Sequence, residues 1–394
     1  MSERASEPDI LLDVSRLAWR VWRGGRPTGI DRVCLAYLRH FGGRSRAVVQ
    51  RRGFYLVLSA RQSRRLFGVL LAGEADARKN LVLIAAAALF SARSSPPAAG
   101  MYYLNVAHTG LDEPSLPRWL QRHQTRPIIM VHDLIPITHP QFCRPPEAQK
   151  HRRRMLNVLL TAEGIIANSR NTLDELTVFA EAEGLTLPDC VVAWLGVENL
   201  PIPIRPKSLG VPYFVIVGTV EGRKNHAMLL RVWQRLATRL GAGAPKLVIV
   251  GQRGWEAQHV FEQLDQPGLI SEHVLELSRC DDNDLAVWLA GAKALLMPSF
   301  AEGFGLPIIE ALRLGTRVVA SDIPALREVG GTAATYLNPE DDAAWEKHIV
   351  CVAQGPNAPC RPEPMPRVPN WPAHFAIIEN WLDELPSCAP SARV

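Results

Sequence analysis

Short apolar runs alternate with longer amphipathic stretches along most of the chain, a pattern typical of strands followed by helices. The first half predicts strands at Asp9–Asp13, Met101–Asn105, Pro127–Val131, Gly164–Asn168 and Cys190–Trp194. The second half predicts strands at Tyr213–Gly218, Lys246–Val250, His273–Leu277, Ala294–Met297 and Thr316–Ala320. Between them, stretches such as His226–Leu240 and Asp284–Ala292 have helical spacing. The alternation predicts an α/β fold of parallel sheets with helices on both faces.

Proline-rich segments divide this pattern. Leu200–Pro212 contains four prolines and predicts a linker between two Rossmann-like domains. A second such stretch, Gly355–Pro372, comes before a helical pattern at His374–Leu385, which we expect to return to the first domain. The predicted parts are residues 1–207, 208–367 and 368–394. Because parallel sheets bind ligands beyond the carboxyl ends of their strands, two facing domains predict a central cleft.

The composition fits a globular protein of the cytoplasm. The chain has 394 residues, 47% hydrophobic and 21% charged, which suits two cores rather than one. Its 7 cysteines include no CxxC pair, which argues against a disulfide framework and a zinc site. The longest apolar run, Leu81–Phe90, is too short to span a bilayer, and the first residues have no apolar signal core.

Charge is distributed unevenly between the halves. Residues 1–207 carry 28 Lys and Arg against 18 Asp and Glu, whereas the rest carries 16 against 21. The basic half is either an ordinary solvated surface or a surface for an anionic membrane or a lipid-linked acceptor. Arg64–Arg65, beside LFGVLL, and the run His151–Arg154 are the candidate membrane contacts. We expect no nucleic acid partner.

The segment Pro298–Gly315 carries the strongest chemical signal. It follows an apolar strand, and Gly303 and Gly305 let the backbone approach a ligand closely. A helix starting near Leu306 would direct free N–H groups at an anion. Glu302 comes before that helix and Glu310 within it, so the two carboxylates can accept hydrogen bonds from sugar hydroxyls. Alone, the segment also fits a glycine loop with a solvent-facing glutamate.

Other strand ends carry further candidates. Val217–Asn225 places Arg223 and Lys224 where cations can neutralise a diphosphate, although ordinary surface charges remain an alternative. Met130–Pro140 places His132 and Asp133 in a loop, where a buried, satisfied histidine is the simpler interpretation. Arg26–Val33 is a glycine turn that leads into a helix and can host a ligand or only turn the chain.

Together these segments resemble the retaining glycosyltransferases of family 4, which have the GT-B fold, and the resemblance covers nearly the whole chain. EGFGLPIIEAL resembles the family's signature of two glutamates separated by seven residues, and RKN its diphosphate-binding turn. HDLIPITHP resembles a loop of mannosyltransferase-like members. AEGIIANS and PALREVGG also fit family positions.

The resemblance implies a role for each candidate residue. Glu302 would contact the transferred hexose, Glu310 the ribose, and His132 the hexose from the first domain. Lys224 and Arg223 would hold the diphosphate, although many relatives have an arginine in place of Thr219. The implied donor-binding residues also include Gly303, Phe304, Gly305, Leu306, Thr219 and Gly29, the last within the turn Thr28–Gly29–Ile30. The acceptor-side candidates are Asp133, His108 and Asn105.

The implied function is hexose transfer from a nucleotide-diphosphate sugar, with GDP-mannose favoured and UDP-glucose next. The expected acceptor is a saccharide or lipid-linked saccharide in surface polysaccharide assembly. We expect no metal or other cofactor, because Arg223 and Lys224 can neutralise the diphosphate, and we interpret Asp281–Asp284 as a helix cap rather than a metal motif.

Other functions remain open at this point. The alternatives are another sugar-nucleotide enzyme on the same fold and a non-catalytic scaffold that binds a polysaccharide-assembly partner. A phosphorylase would need a pyridoxal-phosphate lysine site, which we do not find. No GxGxxG follows a strand and no GxxxxGK[ST] occurs, which disfavours dehydrogenases and P-loop enzymes.

Overall fold

The computed structural model describes residues 8–24, 29–72, 76–91, 96–197, 200–355 and 369–386. The strands of the first sheet are β1 (Ile10–Asp13), β2 (Ser45–Arg51), β3 (Phe54–Val57), β4 (Tyr102–Asn105), β5 (Arg126–Val131), β6 (Gly164–Ala167) and β7 (Asp189–Val192). Those of the second sheet are β8 (Tyr213–Val217), β9 (Lys246–Val250), β10 (Val274–Leu277), β11 (Leu295–Met297), β12 (Val318–Ser321) and β13 (Ala334–Leu337).

Helices connect the strands in both halves. Those of the first half are α1 (Ser15–Arg23), α2 (Gly29–Phe41), α3 (Ala60–Ala72), α4 (Ala77–Ser91), α5 (Leu116–Arg122), α6 (Ile135–Thr138), α7 (Pro145–Thr161) and α8 (Arg170–Ala182). Those of the second half are α9 (His226–Leu240), α10 (Gln258–Asp265), α11 (Leu269–His273), α12 (Asp282–Gly291), α13 (Leu306–Arg313), α14 (Pro324–Gly330), α15 (Asp342–Gln354) and α16 (Trp371–Glu384). In the described chain, no helix is both long and apolar enough to cross a bilayer.

Each half forms its own sheet. The first has the order β3-β2-β1-β4-β5-β6-β7 and the second β10-β9-β8-β11-β12-β13. The central strands β8 and β9 are almost entirely apolar, as strands buried on both faces must be. The predicted α/β class with two Rossmann-like sheets is confirmed.

Three strands were not predicted, and one breaks the parallel pattern. β2, β3 and β13 were missed, and β3 pairs antiparallel with β2. Arg52 and Gly53 both have positive φ, 48° and 78°, the geometry of a tight hairpin turn. The prediction of purely parallel sheets is therefore wrong at this edge, because the two-residue turn folds β3 directly back on β2.

The linker and the last helix complete the fold. Residues 200–212, all of them described, form neither helix nor strand. α16 contacts the first domain, since Tyr37 Oη lies 3.0 Å from His374 Nε2 and Trp381 Nε1 donates to Asp189 Oδ1 at 2.6 Å. The boundary at 207/208 stays a prediction, and the one at 367/368 falls outside the described residues.

Candidate active site

The loop from β11 to α13 carries the predicted glutamate–glycine segment at the carboxyl edge of the second sheet. Gly305 has a φ of 106°, a conformation that favours glycine, and α13 begins at Leu306 as predicted. Pro307 occupies the first helical turn, where its missing N–H breaks no helical hydrogen bond. The N–H of Ile308 donates to the carbonyl of Gly305 at 3.0 Å, whereas the N–H of Leu306 has no acceptor within the helix, and such groups attract anions.

Glu302 is held between two cations from the turn after β8. One carboxylate oxygen pairs with Lys224 Nζ, and the other lies 2.8 Å from Arg223 Nη1. Ser299 Oγ also donates to Glu302 Oε1 at 2.7 Å, and Arg223 Nη1 donates to the carbonyl of Ala301 at 2.8 Å. Glu221 adds a second carboxylate, with Oε1 2.6 Å from Arg223 Nε. The turn after β8 and the loop after β11 are therefore joined by one buried ionic cluster.

Burial and charge act in opposite directions on this cluster. Burial alone would raise the pKa of Glu302, but Arg223 and Lys224 outweigh it and hold that pKa at about 2. Burial lowers the pKa of Lys224, and the contact with Glu302 opposes that shift. Burial raises the pKa of Glu221, which Arg223 opposes. At neutral pH the cluster thus keeps an ionised Glu302 against two cations.

Glu310 is paired across the cleft. Arg32 on α2 places Nη1 3.3 Å from Glu310 Oε1, and its Nη2 pairs with Asp282 at the start of α12. Burial raises the pKa of Glu310, and Arg32 opposes that shift. Arg32 was missed as a site residue, although the glycine turn Arg26–Val33 that contains it was singled out.

The predicted His132 lies buried at the end of β5. Its Nε2 is 2.8 Å from the carbonyl of Val106, so Nε2 donates and Nδ1 is left as the acceptor nitrogen. His108 packs beside it, with ring centroids 5.1 Å apart, and burial lowers the pKa of both histidines. Both therefore stay neutral near pH 7, and Asp133 is half-buried in the same loop, where it accepts from the N–H of Ile135 at 3.2 Å.

Gly303 brings the two domains into contact. A β-carbon on Gly303 would lie 2.3 Å from the carbonyl oxygen of His132, so no larger residue fits there. The carbonyl of Gly303 accepts from Ser169 Oγ at 3.0 Å and Thr172 Oγ1 at 3.3 Å, both at the start of α8. The loop after β11 is thus positioned directly against the loop of His132.

The other predicted donor-side residues lie around this contact. Phe304 is buried, with its ring centroid 6.2 Å from that of Trp194 in the first domain. A β-carbon on Gly29 would lie 3.9 Å from Leu306 Cδ1, so this turn faces the start of α13. Thr219 is half-buried in the turn after β8. Thr28 lies outside the described residues.

Asn105, predicted on the acceptor side, belongs to a buried polar network below the cleft. Its Nδ2 donates to the carbonyl of Thr109 at 3.0 Å and to Tyr103 Oη at 3.1 Å, and its Oδ1 accepts from the N–H of Ala107. Asp13 lies in the same network, 2.7 Å from Tyr103 Oη. The polar atoms of Asn105 are therefore used within the first domain.

Glu328 is a cross-domain contact that the sequence did not single out, although PALREVGG contains it. Its carboxylate accepts from the N–H groups of Arg170 and Asn171 at 2.7 and 3.0 Å, at the start of α8. Trp194 Nε1 donates to the same carboxylate at 2.7 Å. A side chain of α14 thus caps a helix of the opposite domain.

Two charged runs are explained by local structure. Asp281 accepts from the N–H of Asp284 at 2.9 Å, which confirms the helix-cap interpretation. His151 is buried, Arg152 pairs with Glu183, and Arg154 lies 2.8 Å from Glu147, so most of the His151–Arg154 run is engaged within the first domain. Within the described ranges, no group of three or more His, Cys, Asp and Glu side chains is arranged to hold a metal ion.

Two facing Rossmann-like domains define the GT-B class of fold. Solved structures agree: HepE from Anabaena, in complex with UDP and glucose, superposes with a TM-score of 0.65 at 15% identity, covering 95% of this chain and 99% of that one. A sucrose-phosphate synthase from Thermosynechococcus elongatus superposes with a TM-score of 0.55 at 18% identity, covering 79% of this chain and 78% of the other.

Residues 211–354 match the family model described as glycosyl transferases group 1. The chain is 30% identical to the Escherichia coli O-antigen chain mannosyltransferase B over 59% of its own length and 62% of that protein's. It is 29% identical to the Escherichia coli serotype-specific mannosyltransferase WbdA over 67% of its own length and 34% of that protein's. The matched regions thus span less than two thirds of these relatives.

Proposed function

We propose that the protein is a retaining glycosyltransferase of family 4 that transfers a hexose from a nucleotide-diphosphate sugar to a saccharide or lipid-linked saccharide in surface polysaccharide assembly. The buried cluster of Lys224, Arg223 and Glu302, beside the start of α13, is the observation that carries this proposal. Its location within the residues that match the group 1 glycosyltransferase model supports the assignment. Relatives named as mannosyltransferases favour GDP-mannose as the donor.

In this proposal the cluster stabilises the diphosphate as it leaves. Negative charge builds on the leaving phosphate as the glycosidic bond breaks, and fixed cations stabilise that charge without reorganising. Glu302 holds Lys224 and Arg223 in position, so its contribution in this proposal is to orient the two cations beside the donor as well as to contact the hexose. The N–H of Leu306, at the start of α13, adds a second source of positive potential.

His132 and Glu310 are proposed to bind the sugar and the nucleoside. With Nε2 of His132 donating to Val106, its Nδ1 atom is left as an acceptor that suits a hexose hydroxyl. Glu310 would accept hydrogen bonds from the ribose. For this to happen, Arg32 must either leave the carboxylate of Glu310 or bind it together with the ribose. Asp133 and His108 would then border the acceptor.

The direct test is a donor panel with and without EDTA. GDP-mannose and UDP-glucose are incubated with the protein and a mannosylated oligosaccharide acceptor, and the anomeric configuration of the product is determined by NMR. The proposal expects transfer with GDP-mannose, an α-linked product and full activity in EDTA, because Arg223 and Lys224 replace a metal. A β-linked product would exclude retention, and loss of activity in EDTA that Mn²⁺ restores would exclude metal independence.

The non-catalytic alternative makes a different prediction in the same experiment. A scaffold would bind nucleotide or saccharide without turnover, so neither transfer nor slow donor hydrolysis would be detected with any nucleotide sugar. Hydrolysis by the wild type that disappears in Lys224→Ala would exclude a scaffold.

A further inference from the structure

Three helices of the first domain are rich in cations. α1, α3 and α4 pack against one another, and between them they contain eight Arg and Lys residues and no Asp or Glu. Arg16 pairs with Asp31 of α2, and Lys79 pairs with Asp76 just before α4. On α3 the side chains of Arg61, Arg64 and Arg65 are exposed. We call this the α1/α3/α4 surface. Positive surfaces of this kind attract anionic partners.

The same surface exposes apolar side chains that a soluble helix ordinarily buries. Val82 and Leu83 on α4 are 50% and 55% exposed, and Leu71 at the end of α3 is 40% exposed. Along α4, the exposed Arg78 and Lys79 of the first turn are followed by these two apolar residues and by small exposed alanines. Surface helices normally present polar residues to water, so cations next to exposed apolar residues indicate a partner that offers both chemistries.

One end of the α1/α3/α4 surface leads along the chain towards the cleft. At Gly24, which follows α1, a β-carbon would lie 2.9 Å from Nη2 of Arg78 on α4. A few residues further along the chain, Gly29 faces Leu306 at the start of α13. The surface is therefore connected along the chain to the start of α2, which faces the second domain.

We propose that the α1/α3/α4 surface docks on an anionic membrane, with the arginines of α3 on lipid phosphates and Val82 and Leu83 of α4 within the headgroup layer. A lipid bilayer can bind both parts of the surface, because anionic headgroups attract cations and the interface accepts aliphatic side chains. Nucleic acid would interact with the cations but would not bury the aliphatic side chains. The proposal deepens the proposed function by making the acceptor lipid-linked, and it rests on that function only in this respect.

The test is co-sedimentation with vesicles of phosphatidylcholine alone or mixed with an equal amount of phosphatidylglycerol. Each cation near an anionic surface contributes roughly fivefold in affinity, so Arg61→Glu/Arg64→Glu/Arg65→Glu should weaken binding to the mixed vesicles by at least about 100-fold. Val82→Ser/Leu83→Ser should weaken it by roughly tenfold, because it removes the apolar contact.

Matched controls come from other exposed positions of the first domain. Arg118→Glu/Arg122→Glu reverses two exposed cations on α5, and Leu160→Ser removes an apolar side chain that is 63% exposed on α7. Both controls should bind vesicles as the wild type does. In every variant, GDP should raise the melting temperature as in the wild type. This result would show that the fold and the nucleotide site are intact, independently of how strongly the variant binds vesicles.

Three results would overturn the proposal. The first is equal binding of the wild type to both kinds of vesicle, or to neither. The second is wild-type vesicle binding by both the α3 and the α4 variants. The third is loss of affinity for duplex DNA, and not for vesicles, in the α3 variant, which would assign the surface to nucleic acid. Failure of the proposed function would instead appear as loss of the GDP effect in the wild type.

Discussion

The two cations of the RKN turn differ in their surroundings although they are neighbours in sequence. Lys224 is 7% exposed and pairs with Glu302, whereas Arg223 is half-buried and divides its guanidinium between Glu302 and Glu221. Lys224 therefore provides one positive charge at a fixed position. Arg223 holds the carboxylates of Glu302 and Glu221 in place beside it.

Lys224→Ala should lower kcat with a smaller effect on the donor KM. In the proposed reaction Lys224 faces charge that grows in the transition state, and removing one fixed stabiliser costs roughly 10²–10³-fold in rate. Steady-state kinetics with the preferred donor checks this. Lys293→Ala, which removes a half-buried lysine bonded to the carbonyl of Gly355, is the control and should retain kcat. A near-normal kcat in Lys224→Ala would remove the lysine from the chemistry.

Glu310→Gln should have the opposite signature. If Glu310 holds the ribose, it contributes equally to the ground and transition states, so the donor KM should rise more than kcat falls. Glutamine retains the shape of the side chain, and the variant's circular dichroism and melting curve control for folding. A Glu310→Gln enzyme that is inactive at saturating donor would show that this carboxylate acts in the chemical step.

His226 makes a prediction about acid stability. Both ring nitrogens are buried without a hydrogen-bond partner among the described residues, and burial lowers the pKa of His226 to about 3. The unfolded chain takes up a proton near pH 6.5 and the folded chain does not, so stability falls as the pH falls through this window. At pH 5 the loss is about 2 kcal/mol.

Urea denaturation at pH 7 and pH 5 checks this effect. In His226→Leu the difference in unfolding free energy between the two pH values should be about 2 kcal/mol smaller than in the wild type. His259→Leu, at an exposed histidine of α10, is the control and should leave the difference unchanged to within about 0.5 kcal/mol. An unchanged pH dependence in His226→Leu would mean that His226 is protonated in the folded state.

At the scale of elements, the start of α8 is the junction between the domains. Its first N–H groups donate to Glu328 of α14, and Ser169 and Thr172 bond the carbonyl of Gly303. A shift of α8 would therefore move the loop that carries Glu302. The geometry of the site depends on this helix as well as on the residues that face the donor.

Glu328→Ala should weaken both stability and activity. Losing a helix cap costs about 1 kcal/mol, and the free energy of unfolding should fall by at least that amount. Because the loop after β11 loses its support, kcat/KM for the donor should fall severalfold, and Glu328→Asp should restore part of it. Glu181→Ala, at an exposed position on α8, is the control. Wild-type stability and kinetics in Glu328→Ala would mean that the contact does not hold the domains together.

The sequence predicted the elements whose signals are local. His226–Leu240 matches α9 at both ends, and the helix start at Leu306 follows from the glycine and the proline on either side of it. β2 and β3 were missed because the turn Arg52–Gly53 lacks the usual Asn-Gly signal of hairpins. β13 was missed because its alternating residues, ATYL, form no continuous apolar run.

The contacts of the site were harder to predict than its segments. Glu302 and Glu310 were singled out by their spacing around a glycine loop, a local pattern. The pairing of Arg32 with Glu310 joins residues 278 positions apart, and Glu328 caps a helix 158 positions away. Such contacts depend on how two domains dock, and no local pattern in a single sequence encodes that geometry.

At the scale of the whole molecule, the proposed function requires that both domains enclose a donor diphosphate. Cations of the second domain lie beside the start of α13, and Arg32, His132 and Gly29 approach from the first domain. A ligand held by both domains binds the folded state alone, so it must stabilise the protein by mass action.

Binding of a diphosphate in this cleft is measured most directly by the melting temperature of the wild type and of Lys224→Ala with increasing GDP or UDP. We expect one nucleotide to stabilise the wild type, by about 2.7 kcal/mol at a hundredfold excess over its Kd. Lys224→Ala should need a much higher concentration for the same effect, whereas Lys293→Ala should respond as the wild type does. If millimolar concentrations of neither GDP nor UDP change the melting temperature of the wild type, the donor site does not lie in this cleft.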